Sequence, residues 1–446
     1  MQTEILLHTP PPERRDVTGR YSVRVDRLSE TGEAHGVVAA TLDAPSDEDF
    51  TLVFGERHRE AWPPTEFTFI GGLPGELIEV DATWRLPHPN RKRARHVPAP
   101  TVRVRHVLEA APARVLAPCP VFGECGGCQL QHLDYAAQLS WKTQRMRDLL
   151  AIVGFESPPV APAIGCEPPW QYRNHMRFSV NREGRAGLTA RNSHRVLPLR
   201  ACPIAHPRIN EALAILEDEM LPQPQILIRY GEASGQILMQ PAASPELRTR
   251  LAAAGLDIHE TDMEESLLGQ PFTIRPSSFF QTNTRQANRM AELVLDRLPA
   301  GSDVTLVDAY CGVGTFARLL APQAGRVLAI EESASAIRDA RVNLNNVPNV
   351  TILQGKVEDI LPRIPDTIHG LVIDPPRAGC QRTVLDSLVA RRVPRLVYIS
   401  CGPDTLARDL AYLCLRTAAY RLISVQPLDM FPQTAHIENV TLLEAI

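Results

Sequence analysis

The chain has 446 residues, too many for one ordinary core, and its 44% apolar and 22% charged residues are those of a globular protein. No apolar run approaches the length of a membrane span, and a net charge of -4 argues against polyanion binding by the surface as a whole. The N-terminal "MQTEILLHTPPPERRD" lacks the basic-then-apolar order of a secretory signal, so a cytoplasmic protein is expected.

From about Asp16 to Leu116 apolar and polar residues alternate, as in "YSVRVDRL", "FTFIGGLPGELIEVDATWRL" and "TVRVRHVLEA". A period of two punctuated by Gly and Pro predicts a small antiparallel barrel over residues 1–116, with an inserted loop around Ser46 to Pro63. From Trp84 to His106 the chain carries seven Lys/Arg and no carboxylate, a candidate contact for phosphates.

A central α+β domain is expected over residues 117–275. It opens on "CPVFGECGGCQLQH", which holds Cys119, Cys125 and Cys128, and Cys202 follows in "LRACPIAHP". Nine cysteines in a chain without a secretory signal do not read as a disulfide framework. Three closely spaced thiolates with a distant fourth can hold a tetrahedral zinc or a cubane iron-sulfur cluster, and spacing alone leaves the two open. Apolar residues at intervals of three and four predict a helix from Tyr135 to Val153, and "HMRFSVNR" and "QILIRYG" read as strands.

Over residues 276–446 strands alternate with helices: "VTLVDAY", "RVLAIEE", "VTILQG", "GLVIDPP", "RLVYIS". That alternation predicts a Rossmann-like doubly wound sheet with its ligand at the carboxyl ends of the strands. Gly312 and Gly314 allow a tight turn into a helix, and Glu331 ends the next strand, where an acid can accept ribose hydroxyls. Such a site suits a nucleoside-containing cofactor, nicotinamide or S-adenosylmethionine. Asp374, followed by two prolines, ends another strand and, together with the glycine turn, resembles methyltransferases that bring a planar base beside a sulfonium, which favours the methyl donor. Amino-group methylation usually places an aromatic residue after the prolines; here Arg377 stands there.

"VYISCGPDTLARDL" ends a buried strand on Cys401. Carbon 5 of uracil becomes nucleophilic once a thiolate adds to carbon 6, and a base must then remove the carbon-5 proton. That chemistry needs one accessible Cys and one carboxylate in a single pocket. Through "SSFFQTNT", "DAYCGVGTF", "IEES", "DPPRAG", "SCGPDTLARDL" and "DMFPQTAHIENVTLL" the chain resembles the RNA uracil-5-methyltransferase family. The resemblance implies Cys401 as nucleophile, Glu438 as base, and cofactor contacts from Gln281, Tyr310, Thr315, Glu331 and Asp374, with Phe279 as a base-stacking candidate. It also implies a 4Fe-4S cluster on Cys119, Cys125, Cys128 and Cys202. "FIGGLPGELIEV" looks like the end of the small RNA-binding barrel called TRAM, of the oligonucleotide-binding type.

The expected protein is therefore a monomeric, cytoplasmic, S-adenosylmethionine-dependent enzyme that methylates RNA. Its partner is 23S ribosomal RNA, with the transfer RNA T-loop as the alternative. Two positions depart from the family: Gly402 stands where Asn is usual, and Lys356 where an Asp or Asn commonly faces adenine. A catalytically inactive RNA-binding iron-sulfur protein is the rival from another class, but both Cys401 and Glu438 are present. In DNA cytosine methyltransferases the nucleophile normally follows Pro, whereas Ser400 precedes Cys401.

Overall fold

The computed structural model describes residues 16–46, 64–84, 99–217 and 219–446. The expected inserted loop and most of the basic stretch after Trp84 lie outside the described residues. The chain divides into two compact units, Met1–Leu116 and Ala117–Ile446.

The first unit is one antiparallel sheet of β1 (Val17–Leu28), β2 (Ala34–Asp43), β3 (Glu66–Phe69), β4 (Leu77–Trp84) and β5 (Thr101–Glu109), in the order β3-β2-β1-β4-β5. Register shifts in β1–β2 and β4–β5 bend it. Its edge strands β3 and β5 approach one another, yet no ladder joins them among the described residues, so the expected barrel is an open, curled sheet. Alternation does its work most plainly in β4, where every second residue is buried, with Tyr21, Phe67 and Trp84 packed together inside the curl. Glu76 is fully buried and accepts from Leu73 N, Ala111 N and the Arg114 guanidinium, which ties the chain after β5 back to the β3–β4 turn.

The second unit carries two main sheets. One has six strands: β6 (His175–Val180), β7 (Ala186–Thr189), β8 (Val196–Pro198), β9 (Gln225–Tyr230), β10 (Gln236–Gln240) and β11 (Asp257–His259). A hairpin, β12 (Met263–Leu267) with β13 (Gln270–Ile274), follows. The other has seven: β14 (Gly301–Ala309), β15 (Ala324–Glu331), β16 (Val350–Gln354), β17 (Gly370–Ile373), β18 (Arg395–Ser400), β19 (Tyr420–Leu428) and β20 (Glu438–Ala445).

Their order is β16-β15-β14-β17-β18-β20-β19, parallel up to β18 and antiparallel beyond it. β17 and β18 are almost wholly buried because helices cover both faces, which is why they read as unbroken apolar runs. The chain order reverses at β14, so the crevice outside the carboxyl ends of β14 and β17 is the place for a ligand.

Helix Tyr135–Ile152 forms as expected, capped by the Asp134 carboxylate, which accepts from Ala136 N. Its buried face differs from the apolar stripe its periodicity predicts: Gln138, Lys142 and Thr143 are buried beside Met146 and Leu150. No helix among the described residues is long and apolar enough to cross a membrane.

Candidate active site

Three strand ends meet at the crevice. β14 runs out through Asp308 and Ala309 to Tyr310, whose φ of +68° is the left-handed conformation that few side chains adopt. Gly312 and Gly314 also take positive φ, and a Cβ on Gly314 would stand 2.9 Å from Leu344. The turn is held from two sides by carboxylates. Asp308 Oδ2 accepts from Ala317 N at 2.7 Å, and Glu331 Oε2 accepts from Gly312 N at 3.0 Å. Glu331 Oε1 accepts from Ser333 N at 2.7 Å.

Gln281, Tyr310, Thr315 and Asp374 line one cavity of about 50 Å³, with Phe279 and Phe316 among its other walls. Four of the five expected cofactor residues thus share a cavity, and Glu331 reaches it through Gly312. Phe279 is 72% exposed at its edge. Lys356 is exposed, outside the cavity lining, and caps the short helix Val357–Ile360 without a side-chain hydrogen bond.

The catalytic candidates come together through register. In the antiparallel ladder of β18 and β20, Ser400 pairs with Asn439, so Cys401 and Glu438 are the next residue on each side. Cys401 is part-exposed and Glu438 is buried. Burial pushes the Cys401 thiol up to about 11, helped by the carboxylates of Glu438 and then Asp374, while the Arg377 guanidinium opposes them. Burial, then the charge of Asp374, raises Glu438 well above the usual carboxylate range. Burial alone raises Asp374 to about 7. Asp374 therefore joins the two halves of the site, lining the cavity and acting on both Cys401 and Glu438.

Asp308 had no role in the sequence reading. Burial carries it up to about 8, and its Oδ1 has no partner. Its position one strand-end residue before the glycine turn was visible; that it caps the next helix was not.

The backbone explains how Gly402 serves the site. A Cβ there would lie 2.7 Å from the Arg377 carbonyl oxygen and 2.6 Å from Thr405 Oγ1, so the Asp-Pro-Pro-Arg loop packs directly on the glycine. Ser400 Oγ accepts from Gly402 N at 3.1 Å, a local bond beside Cys401 that needs no side chain at 402.

Cys119, Cys125, Cys128 and Cys202 line one cavity of about 190 Å³, walled by apolar groups such as Phe122, Met176 and Ile204. All nine cysteines are free thiols. Among the described residues no group of three or more His, Cys, Asp or Glu side chains is arranged to hold a metal ion. The expected ligand set is thus a gathering of four thiols around a cavity rather than a formed metal centre.

The residues after Cys128 reach the segment that precedes β20: Gln129 N and Leu130 N both donate to Gln433 O at 3.0 Å.

The model of the family described as tRNA (uracil-5-)-methyltransferase matches residues 269–446. A protein of Thermosynechococcus vestitus described as an uncharacterized RNA methyltransferase is 32% identical, covering 94% of this chain and 97% of its own. The chain belongs to the RNA uracil-5-methyltransferase family. Another RNA methyltransferase of this kind, from Gloeobacter violaceus, is 34% identical over 84% of this chain and 90% of its own. The fold of this family member is shared by the Pyrococcus abyssi tRNA (uracil-54, C5)-methyltransferase, whose crystal structure is a complex with S-adenosyl-L-homocysteine. The TM-score is 0.67 at 21% identity, covering 95% of this chain and 100% of that one.

Proposed function

We propose that the protein transfers a methyl group from S-adenosylmethionine to carbon 5 of a uridine in structured RNA. The observation that carries this reading is the placing of Cys401 beside Glu438, with Asp374 linking them to the cavity of Gln281, Tyr310 and Thr315. S-adenosylmethionine, when bound, supplies an electrophilic methyl group on a positively charged sulfur. Asp374 and Glu438, drawn toward their neutral forms by burial, ionise more readily beside a positive charge.

Cys401 Sγ, as thiolate, would bond to carbon 6 of the uracil and so place electron density on carbon 5, which would take the methyl group as the bond from that methyl to the donor sulfur breaks and its electron pair stays on the sulfur. Glu438 then accepts the proton from carbon 5. The electrons of that C–H bond restore the double bond, and the carbon–sulfur bond breaks to return the thiolate. Phe279, exposed at the cavity edge, offers an aromatic face for a base extruded from the RNA. Arg377 and Arg173 both act on His436, two residues before Glu438, and their guanidinium groups suit RNA phosphates. The curled sheet of the first unit serves as the TRAM-like RNA-binding module.

For the four thiols that line one cavity, the reading that follows from the family resemblance is a 4Fe-4S cluster rather than a single zinc. Zinc requires four ligands about 2.3 Å from one point, whereas each iron of a cubane takes its own thiolate and keeps the sulfurs apart. Cys119, Cys125, Cys128 and Cys202 are the holding residues. Family members with both barrel and cluster commonly modify large-subunit ribosomal RNA, which makes 23S RNA the first substrate to try.

Labelled methyl transfer to deproteinised 23S RNA and, separately, to transfer RNA lacking 5-methyluridine tests both reaction and address. Label in 5-methyluridine of 23S RNA is expected. Label confined to transfer RNA reassigns the substrate, and label in neither overturns the activity. Iron and sulfide analysis of anaerobically purified protein, with Cys128→Ala as control, tests the cluster.

A further inference from the structure

Helix Tyr135–Ile152 turns polar side chains into the protein where apolar ones would pack at lower cost. Gln138 is 1% exposed, Lys142 0% and the Arg145 side chain 14%. Their spacing of four and then three residues sets them along one helix face. All three grip the short segment that leads into Glu438.

Gln138 forms a reciprocal clasp with Gln433. Its Nε2 donates to Gln433 Oε1 at 3.0 Å and its Oε1 accepts from Gln433 N at 3.1 Å. Gln433 needs holding, because its φ of +69° is one that a residue with a Cβ seldom adopts. Lys142 Nζ donates to Asp429 Oδ1 at 2.5 Å and to Phe431 O at 3.2 Å. Arg145 donates to Ala435 O at 3.1 Å, and its other terminal nitrogen stands 3.6 Å from Asp404 Oδ2, in the helix that follows Cys401. Arg145 thus touches the chain on both flanks of the reacting pair.

A buried Lys–Asp pair contributes little net stability compared with well-packed apolar groups, so stability alone does not account for this stripe. It does supply directional bonds at intervals along the segment from Asp429 to Ala435, where apolar contacts would allow sliding. We infer that Gln138, Lys142 and Arg145 are positioning residues that set the Glu438 carboxylate relative to Cys401 for the proton-removal step. The inference rests on the reading of Glu438 as the base.

The test uses the full chain carrying Gln138→Met, which keeps volume and loses the clasp, and Arg145→Ala and Arg145→Lys. Misplacing a reacting group by about 1 Å can cost roughly a hundredfold in rate. Turnover of Gln138→Met and Arg145→Ala is expected to fall about ten- to a hundredfold, a range set by that sensitivity. Covalent RNA–protein adduct should persist on a denaturing gel, as in Glu438→Gln, with S-adenosylmethionine affinity unchanged. Arg145→Lys, which still presents a donor to Ala435 O, should recover part of the rate and lose the adduct.

Wild-type turnover in both Gln138→Met and Arg145→Ala overturns the inference. So does a loss of turnover without adduct, accompanied by weaker cofactor binding or a lower melting temperature, because that is what a purely structural stripe predicts. Absence of adduct in Glu438→Gln itself is a different failure: the base assignment falls, and the stripe is left with no base to position.

Discussion

Cys401 and Glu438 leave an antiparallel pair at the same point: the ladder of β18 and β20 has Ser400 opposite Asn439, and Cys401 and Glu438 are the next residue on each strand. A parallel neighbour would have brought the start of a strand to the wrong end of the sheet. The reversal of β20 allows a residue at the beginning of one strand to meet one just beyond the end of another. In the proposed mechanism the two side chains have distinct jobs, so their removal should fail differently. Cys401→Ala should abolish methylation while leaving S-adenosylmethionine affinity within about twofold, well under the tenfold that 1.4 kcal/mol represents. Glu438→Gln should bind and react once, then stall as a covalent RNA adduct visible on a denaturing gel.

The resting thiol is a weak acid. Burial and the carboxylates of Glu438 and Asp374 push Cys401 to about 11, above the ordinary thiol value. In RNA-free protein, alkylation of the Cys401 peptide by iodoacetamide, followed by mass spectrometry, should rise with pH toward that value. Removing the anionic neighbour relieves repulsion of the thiolate, so Glu438→Gln should shift the profile to lower pH. A profile centred near the ordinary value in the wild type would show that neither burial nor the carboxylates raise the thiol.

Stability should fall as pH rises through the range that Asp308 governs. Its pKa is raised from 3.8 to about 8 in the folded chain. Between those values the unfolded state has lost the proton that the folded state keeps, so each rise in pH favours unfolding, and above the folded value the effect levels off. Asp308→Asn retains an acceptor for Ala317 N and cannot ionise. Its melting temperature should decline less between pH 5 and pH 8 than that of the wild type, as calorimetry would read. Asp374 and Glu438 are shifted in the same direction, so a remnant of the decline should persist.

Gly402 is required by crowding rather than by an unusual φ, which is -115°. Gly402→Asn brings a Cβ against the Arg377 carbonyl and Thr405 Oγ1, so it should cost about 1–3 kcal/mol, the usual range for overpacking. Because the displaced loop also carries Asp374, turnover should fall as well. Denaturant melts and steady-state rates on one preparation measure both. An unchanged melt would mean that the loop yields without cost.

Some of this was legible in the sequence because it is written locally. Glycines that need positive φ, acids at strand ends and prolines that stop a ladder declare themselves within a few residues, and four of the five expected cofactor residues line one cavity. The helix from Tyr135 was legible as a helix but not in its orientation. Apolar spacing predicted the helix without marking its polar residues as buried, yet Gln138 and Lys142 are buried against a segment from the far end of the chain. Periodicity reports which residues share a face; it does not report what that face will meet.

Alternation likewise predicted antiparallel strands in the first unit, but closure depends on whether the edge strands pair, and among the described residues β3 and β5 do not.

By itself the sequence determined the strand-ending motifs and the doubly wound order of elements, because each follows from short-range backbone preference and side-chain type, while its resemblance to the family pointed to Cys401 and Glu438. Only the tertiary structure decided that Cys401 stands next to Glu438 across the ladder, that Asp374 links that pair to the cavity, and that a buried polar stripe holds the segment leading into Glu438. Those relationships arise from strand register and from burial by distant segments, and neither is encoded within the span of a single turn or strand.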